Sequence, residues 1–195
     1  VKNCYLDLNN SNSAAQTGAI RFESLATTAD GKNTYNKVFG NTCKNADAGI
    51  MFYSGTALTA NYDTDNEIYN NTINGNFGLN YGGICLYQTG STKIYNNVLD
   101  GSGSSVNYIT AFGIKAYPCF GTIDCYGNTV KNITNASTSN QARVLGINIL
   151  STVVNIYNNM VSNLKAEAST STNSYHSAGI ALGTNNTIAP HYYIW

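Results

Sequence analysis

One short motif recurs five times along this chain, and this repeat restricts the possible folds more than any other feature of the sequence. Each copy has an apolar residue, an aromatic residue, Asn or Gly, and a final Asn, and successive copies begin 30, 26, 31 and 31 residues apart. The copies span residues 38–41, 68–71, 94–97, 125–128 and 156–159. A Gly-Ile motif runs in step with them at Gly49, Gly83, Gly113, Gly146 and Gly179. A repeat of this length is typical of stacked architectures.

The repeat predicts β-strands and tight turns. Short runs of Ile, Val and Tyr with period two are typical of strands, and Asn or Gly at fixed offsets is typical of turns that need positive φ. Because every copy has the same direction and similar spacing, each strand is expected to pair with its equivalent in the next repeat. The sequence therefore predicts an all-β parallel solenoid with three short strands per coil. Leucine-rich repeats are excluded, because no copy has their Leu-x-x-Leu-x-Leu framework.

Over roughly residues 18–183, the two motifs resemble the coils of right-handed parallel β-helix proteins of the pectate-lyase-like superfamily. The resemblance implies that the Gly-Ile strand comes first and the Ile-Tyr-Asn strand second, with the tight turn at Asn41, Asn71, Asn97, Asn128 and Asn159. About six coils are expected, which at the usual strand spacing give a stack about 29 Å tall. We expect residues 1–195 to form a single domain, a fragment of a longer solenoid from a bacterial secreted or surface protein.

Alternation along the Gly-Ile strand assigns every second side chain to the interior. The predicted apolar stack contains Ile50 and Phe52, Ile84 and Leu86, Ile114 and Ala116, Ile147 and Ile149, and Ile180 and Leu182. At the tight turn, each final Asn is expected to bridge its amide to the next coil and to tolerate the left-handed conformation that most residues avoid. This asparagine ladder is structural, and we exclude it from the functional site.

Two rows of aromatic side chains are expected on the outer surface. The second strands contribute Phe39, Tyr69, Tyr95, Tyr126 and Tyr157, preceded by a row of charges at Lys37, Glu67, Lys93 and Asp124. Because these charges alternate in sign, neighbours are expected to attract one another and to fix the register of the coils. The first strands contribute Tyr53, Tyr87 and Tyr117, with Met51, Cys85 and Lys115 beside them.

Aromatic rows of this kind stack on sugar rings or form protein interfaces, and they also pack against each other with no ligand present. Mutual packing is the structural alternative for both rows. The resemblance to pectate-lyase-like proteins implies saccharide binding along the first-strand face. We therefore expect carbohydrate binding at Tyr53, Tyr87 and Tyr117.

If the chain were a polysaccharide lyase or glycoside hydrolase, the same resemblance would imply paired acids or a bound Ca²⁺, together with Arg or Lys. The first-strand face offers Arg21, Glu23 and Lys115 without an acid pair, so no catalytic residue is assigned. His176 and His191 have no partner at the spacing of a triad or a metal cluster, and they are not assigned either.

An acidic segment at residues 63–67 supplies alternating oxygen ligands of the kind that Ca²⁺ prefers. Asp63 and Asp65 are therefore candidate metal ligands, and Ca²⁺ is the one candidate cofactor. The segment lacks the turn Gly that calcium loops commonly contain, and a solvated acidic loop is the structural alternative.

Charge and hydropathy exclude two classes of partner. Lys and Arg total 10 and Asp and Glu total 10, so the formal net charge is +0 and no field attracts nucleic acid. No membrane insertion is expected, because no window approaches the roughly 20 apolar residues that cross a bilayer.

The 5 Cys show no CxxC pair, and pairing of Cys119 with Cys125 stays open.

These observations favour an extracellular or cell-surface β-helix scaffold that is adhesive or carbohydrate-binding and not catalytic. Its expected partners are a polysaccharide or cell-surface glycan, and further copies that meet at the solenoid ends. Two alternatives stay open. One is a polysaccharide lyase or hydrolase whose acidic residues lie on loops. The other is a structural module of a self-assembling fibre or sheath, because an uncapped solenoid presents unpaired strand edges.

Overall fold

The computed structural model describes residues 1–8, 18–24, 31–55, 62–75, 81–102, 105–106, 110–137, 142–167, 177–183 and 191–194. Strands β1–β19, numbered in chain order, form three sheets in this part of the chain. Strand pairing is parallel throughout them, as the repeat predicts.

Each sheet collects equivalent strands from successive repeats. The first sheet contains β2 (Gly18–Ser24), β5 (Ala48–Ser54), β8 (Ile84–Tyr87), β12 (Thr110–Ala116), β15 (Arg143–Leu150) and β18 (Ser177–Gly183). The second contains β3 (Lys37–Phe39), β6 (Asn66–Tyr69), β9 (Thr92–Tyr95), β13 (Thr122–Tyr126), β16 (Val153–Tyr157) and β19 (His191–Ile194). The third contains β1 (Tyr5–Asp7), β4 (Thr42–Lys44), β7 (Thr72–Asn74), β10 (Val98–Asp100), β11 (Ser105–Val106), β14 (Thr129–Asn135) and β17 (Met160–Ala166).

The chain visits the sheets in a fixed order, first, second, third, so each circuit is one coil of a parallel β-solenoid. Complete coils begin at β2, β5, β8, β12 and β15, and the described part of a further coil contains β18 and β19. The number of complete coils is therefore slightly smaller than about six, while the predicted fold with three strands per coil is confirmed. The Gly-Ile motifs lie in register, since Ile114 is paired with Ile84 on one side and with Ile147 on the other.

The interior is the apolar stack that period two predicts. Ile50, Ile84, Ile114 and Ile147 are completely buried in one cluster with side chains of all three sheets. Burial of each such side chain stabilises the fold by about 1.5–3 kcal/mol. Ile180 differs from the prediction: its side chain is 41% exposed, because β18 is paired only with β15 among the described strands.

The asparagine ladder is present at the tight turn between the second and third sheets. From Asn71 onward, the side-chain oxygen of each ladder Asn accepts hydrogen bonds from the backbone N–H and the Nδ2 of the ladder Asn one coil earlier, as between Asn71 and Asn97 at 3.0 Å. The same contacts link Asn41, Asn71, Asn97, Asn128 and Asn159 in turn. The prediction that these Asn residues are left-handed is wrong. The residue before each of them has positive φ instead, at Gly40, Asn70, Asn96, Gly127 and Asn158.

A surface carboxylate on the third sheet stabilises neighbouring coils. Asp100 accepts hydrogen bonds from Asn132 Nδ2 at 3.0 Å and from the backbone N–H of Ser102 at 2.9 Å, and it pairs with Lys131 Nζ at 3.2 Å. Partial burial alone would raise the pKa of Asp100, but the hydrogen bonds from Ser102 and Asn132 and the Lys131 contact hold it well below its usual range.

We expect Asp100→Asn to lower the free energy of unfolding by about 1–2 kcal/mol at neutral pH. The pKa of Asp100 in the folded protein lies below its value of about 3.9 in the unfolded chain. The stabilisation is therefore fully present at a pH above the unfolded pKa, and it is lost as the pH falls through the folded pKa. Urea unfolding between pH 3 and pH 7 checks this. The difference between wild type and variant should shrink below about pH 4, and a difference independent of pH would contradict the assignment. Glu23→Gln is the control for loss of a surface carboxylate.

Candidate functional site

The three tyrosines expected to bind carbohydrate lie at equivalent ends of neighbouring strands in the first sheet. Tyr53 and Tyr87 stack, with ring centroids 4.9 Å apart and planes 8° from parallel. Tyr117 belongs to the next coil, is 45% exposed, and lies 5.7 Å from Lys115 Nζ. Arg21 Cζ lies 5.9 Å from the Tyr53 ring centroid at the other end of the row. The structure thus brings two of the tyrosines into contact and leaves the third accessible beside a cation.

The surface beside these tyrosines is covered. Met51 and Cys85 lie on the outer side of the sheet as predicted, but both are buried, and they pack with Ala48, Tyr53 and Tyr81 in a second apolar cluster. The sequence pattern does not indicate this cover, because Tyr81 precedes β8 and lies outside the repeated motifs. Burial raises the pKa of Cys85 to about 12. The tyrosine row therefore lies at the solvent-accessible edge of a surface whose neighbouring side chains are buried.

Lys115 extends this cluster into the next coil. Its ammonium lies 4.8 Å from the Phe112 ring centroid as well as near Tyr117. Burial lowers the pKa of Lys115, and the nearby Cys85 acts in the opposite direction. The Lys115 ammonium is therefore held beside two aromatic rings at this end of the row.

The aromatic row of the second sheet is one continuous stack. The ring centroids are 4.8, 4.7, 5.0 and 4.8 Å apart and the planes are within 5° of parallel, in the order Phe39, Tyr69, Tyr95, Tyr126 and Tyr157. Each inner ring has a neighbouring ring on both faces, so only its edge and hydroxyl group face outward. Because stacking on a sugar needs a free ring face, mutual packing accounts for this row.

The charged row of the same sheet forms contacts between coils. Lys37 Nζ lies 3.3 Å from Glu67 Oε1, and Tyr95 Oη donates to Glu67 Oε2 at 3.1 Å. Although burial acts in the opposite direction, Tyr95 and Lys37 lower the pKa of Glu67. Lys93 and Asp124 are register partners, but they form no ion pair within 4.0 Å. Of these two predicted pairs of charges, Lys37 and Glu67 form an ion pair, whereas Lys93 and Asp124 do not.

A groove of about 240 Å³ lies on the outer face where β6, β9 and β13 begin, at the corner between the first and second sheets. We call it the corner groove, and its lining includes Tyr35, Asp65, Glu67, Ser91, Lys93 and Asp124. Ser91 also lines a second hollow of about 380 Å³ that contains Tyr62 and Phe120. Sequence reasoning named Asp65 as a candidate metal ligand and Glu67, Lys93 and Asp124 as a row of charges, but it did not place them in one groove. It missed Tyr35, which lies just before the repeated motif.

The two candidate calcium ligands have different surroundings. Asp63 is completely buried, and its oxygens accept hydrogen bonds from Asn33 N at 2.7 Å and Asn33 Nδ2 at 3.2 Å. Burial raises the pKa of Asp63, opposed by those hydrogen bonds and by Lys32. Asp65 is exposed and lines the corner groove. No group of three or more potential ligands occurs among the described residues, and calcium binding at Asp63 and Asp65 stays a prediction.

Other reactive side chains also lie in the described part of the chain. Arg21 and Glu23 form an ion pair at 3.1 Å. Cys119 and Cys125 are free thiols and are not joined to each other. Burial raises the pKa of Cys119 to about 11, although hydrogen bonding to Thr89 acts in the opposite direction. His176 lies outside the described residues, and only the backbone of His191, in β19, is described.

Comparisons of the chain with protein-family models, curated proteins and solved structures found no match. Within the described ranges, no helix has both the length and the apolar character needed to cross a membrane.

Proposed function

We propose that this chain is an extracellular or cell-surface β-helix scaffold that binds carbohydrate without cleaving it. The observation that supports the proposal is the first-sheet tyrosine row, in which the stacked Tyr53 and Tyr87 are followed by the accessible Tyr117. Tyrosine combines an apolar ring face with a polar hydroxyl, which suits contact with a sugar ring and its hydroxyl groups. The parallel stack of coils holds these rings on a rigid sheet, which favours repeated contacts along one polysaccharide chain.

Two features support a polar ligand at this surface. Arg21 and Lys115 flank the row at its two ends, so hydrogen-bond donors lie beside the rings. Tyr53 packs against the buried cluster of Met51 and Cys85 beside the row, which restricts the movement of its ring. The repeat motifs alone support the resemblance to pectate-lyase-like proteins and a bacterial, secreted origin. Both are part of this proposal.

Affinity electrophoresis of the protein in gels containing soluble polysaccharides, with and without Ca²⁺, tests the proposal. We expect retention by at least one polysaccharide, weakened at least about tenfold when Tyr53, Tyr87 and Tyr117 are all replaced by Ala, since tenfold corresponds to about 1.4 kcal/mol. Tyr5→Ala is the matched control, because Tyr5 is 64% exposed and lies 5.4 Å from Lys44 Nζ on the third sheet. Circular dichroism of each variant verifies the fold.

The same samples distinguish the alternatives. New chain ends in the polysaccharide would contradict the proposal in favour of a lyase or hydrolase. Dependence of retention on Ca²⁺, lost in an Asp65→Asn variant, would support the predicted calcium site. No retention by any polysaccharide would contradict carbohydrate binding.

A second candidate function is a structural module of a self-assembling fibre or sheath, in which copies meet through strands that are paired on one side only. The supporting observation is at β17 and β18, each paired on one side only among the described strands, where Met160 and Ile180 are 56% and 41% exposed. Sedimentation velocity over a hundredfold range of concentration tests it. Assembly that increases with concentration and is unaffected by glycan would favour this module.

A further inference from the structure

The corner groove has an exposed aromatic side chain in an unfavourable backbone conformation. Tyr35 has a φ of 56° and is 76% exposed. A bulky residue in the left-handed region is disfavoured relative to Gly or Asn, and such outliers concentrate at functional sites. Elsewhere in the described chain, Asn and Gly hold most left-handed positions. Since the exposed Tyr35 ring is not part of the core, the fold gains little from Tyr at this position.

The position of Tyr35 is set by the coil above it. Its backbone N–H donates to the carbonyl oxygen of Thr64 at 3.3 Å, and the next residue, Asn36, donates its backbone N–H to Asn66 Oδ1 at 2.9 Å. Asp65 stands just before Asn66 in that coil and is also left-handed, with a φ of 55°. Two adjacent coils therefore present an aromatic ring and a carboxylate at the same corner, both directed by the backbone to the same groove.

Polar groups of three coils line the rest of the groove. Lys93 contributes a cation that forms no ion pair with any described carboxylate. Asp124 accepts one hydrogen bond, from Asn155 Nδ2 at 2.6 Å, through its Oδ1 atom. Ser91 accepts from the backbone N–H of Thr122 at 3.1 Å. An aromatic face with several donors and acceptors around it matches a sugar ring, which has an apolar face and a margin of hydroxyl groups.

The charges of the groove lining favour uncharged glycans over anionic ones. Asp65, Glu67 and Asp124 are carboxylates, whereas Lys93 is the one basic residue among the described residues that line the groove. A uronate or sulfated sugar would bring a further negative charge next to carboxylates, which disfavours binding. Carboxylates accept hydrogen bonds from adjacent hydroxyl groups of an uncharged sugar without such repulsion.

We infer that the corner groove binds an uncharged glycan, with one sugar ring on Tyr35 and its hydroxyl groups on Asp65, Lys93 and Asp124. The inference rests on the proposed carbohydrate-binding function, but it places a further site on the second-sheet side of the solenoid and specifies the class of glycan. The adjoining hollow of about 380 Å³ around Ser91, Tyr62 and Phe120 provides room for a neighbouring sugar residue. The ligand is therefore an oligosaccharide rather than a monosaccharide.

Isothermal titration calorimetry with oligosaccharides of mannose, glucose and galactose, and with oligogalacturonate, tests this inference on the whole chain. We expect a neutral oligosaccharide to bind, with affinity reduced at least about tenfold in Tyr35→Gly and in Asp124→Asn. Glycine accepts the left-handed conformation, so the unfolding temperature of Tyr35→Gly should equal or exceed that of the wild type. Tyr5→Ala and the triple first-sheet tyrosine variant are measured in parallel.

The outcomes separate the two proposals. Binding that Tyr35→Gly and Asp124→Asn leave unchanged, but that the first-sheet variant abolishes, would overturn the corner groove and leave the proposed function standing. Tighter binding of oligogalacturonate than of every neutral oligosaccharide, weakened by the groove variants, would overturn the uncharged specificity. No binding of any oligosaccharide would overturn both proposals.

Discussion

Asn97→Leu is expected to lower the free energy of unfolding by about 3–4 kcal/mol, because it interrupts the asparagine ladder at its buried centre. Asn97 is completely buried. Its Oδ1 accepts from the backbone N–H of Asn71 at 3.0 Å, and its Nδ2 donates to the carbonyl oxygen of Ile68 at 2.9 Å. Leucine has similar volume but no polar atoms, so these buried groups would lose their partners.

Asn155→Leu is the matched control for this variant. Asn155 lies in β16 on the outer face, is half-buried, and donates one hydrogen bond to Asp124. Its replacement should cost about 1–2 kcal/mol, less than at Asn97, because one partly exposed hydrogen bond to a carboxylate is lost instead of several buried ones. Urea unfolding followed by far-ultraviolet circular dichroism measures both variants. Equal losses at Asn97 and Asn155 would show that the ladder amides contribute no more than surface amides.

The strand positions and their register were predictable because side-chain alternation and turn offsets repeat together. Each inward Ile follows a Gly and is followed two residues later by another apolar residue, so only one pairing places all of them inside. The structure confirms that pairing, for instance between Ile50 and Ile84. The ladder was predictable for the same reason, since Asn recurs at a fixed distance from the apolar position.

One copy of the turn motif was missed. Residues 1–4 form the same turn, in which Asn3 is left-handed with a φ of 54° and the backbone N–H of Cys4 donates to Asn41 Oδ1 at 3.0 Å. Cys4 occupies the ladder position. Lys2 forms a parallel β-bridge with Phe39, so it occupies the equivalent position in the aromatic row. Because both residue types differ from the motif, a search for sequence similarity does not detect this copy, although the backbone repeats it.

The corner groove could not be predicted from the repeat. Its lining comes from the corner between two sheets, where equivalent positions hold Tyr35 in one coil and Asp65 in the next. The repeat does place Glu67, Lys93 and Asp124 in one outer row, but it does not place Tyr35 beside them, because the residue type at that position changes between coils. The cover over Met51 and Cys85 was also unpredictable, because it depends on where Tyr81 packs outside the repeated strands.

Gly113→Ala is expected to lower the free energy of unfolding by about 2–3 kcal/mol, because the added methyl group has no space. A Cβ atom at Gly113 would overlap Val130 Cγ1 and lie 2.5 Å from the carbonyl oxygen of Gly146. The backbone here is not left-handed, so the requirement for Gly is steric. The Gly-Ile motif thus has a physical cause, which is the close approach of the first sheet to third-sheet side chains such as Val130.

Gly179→Ala is the matched control, since Gly179 holds the same motif position in β18. A Cβ atom there would lie 3.8 Å from Val161 Cβ, which is an ordinary contact. The control should be neutral or stabilising by up to about 1 kcal/mol, because alanine restricts the unfolded chain. Thermal and urea unfolding of the two variants measure the difference. If Gly179→Ala destabilised the protein as much as Gly113→Ala, the motif would reflect a backbone requirement shared by all coils, and the steric explanation would be wrong.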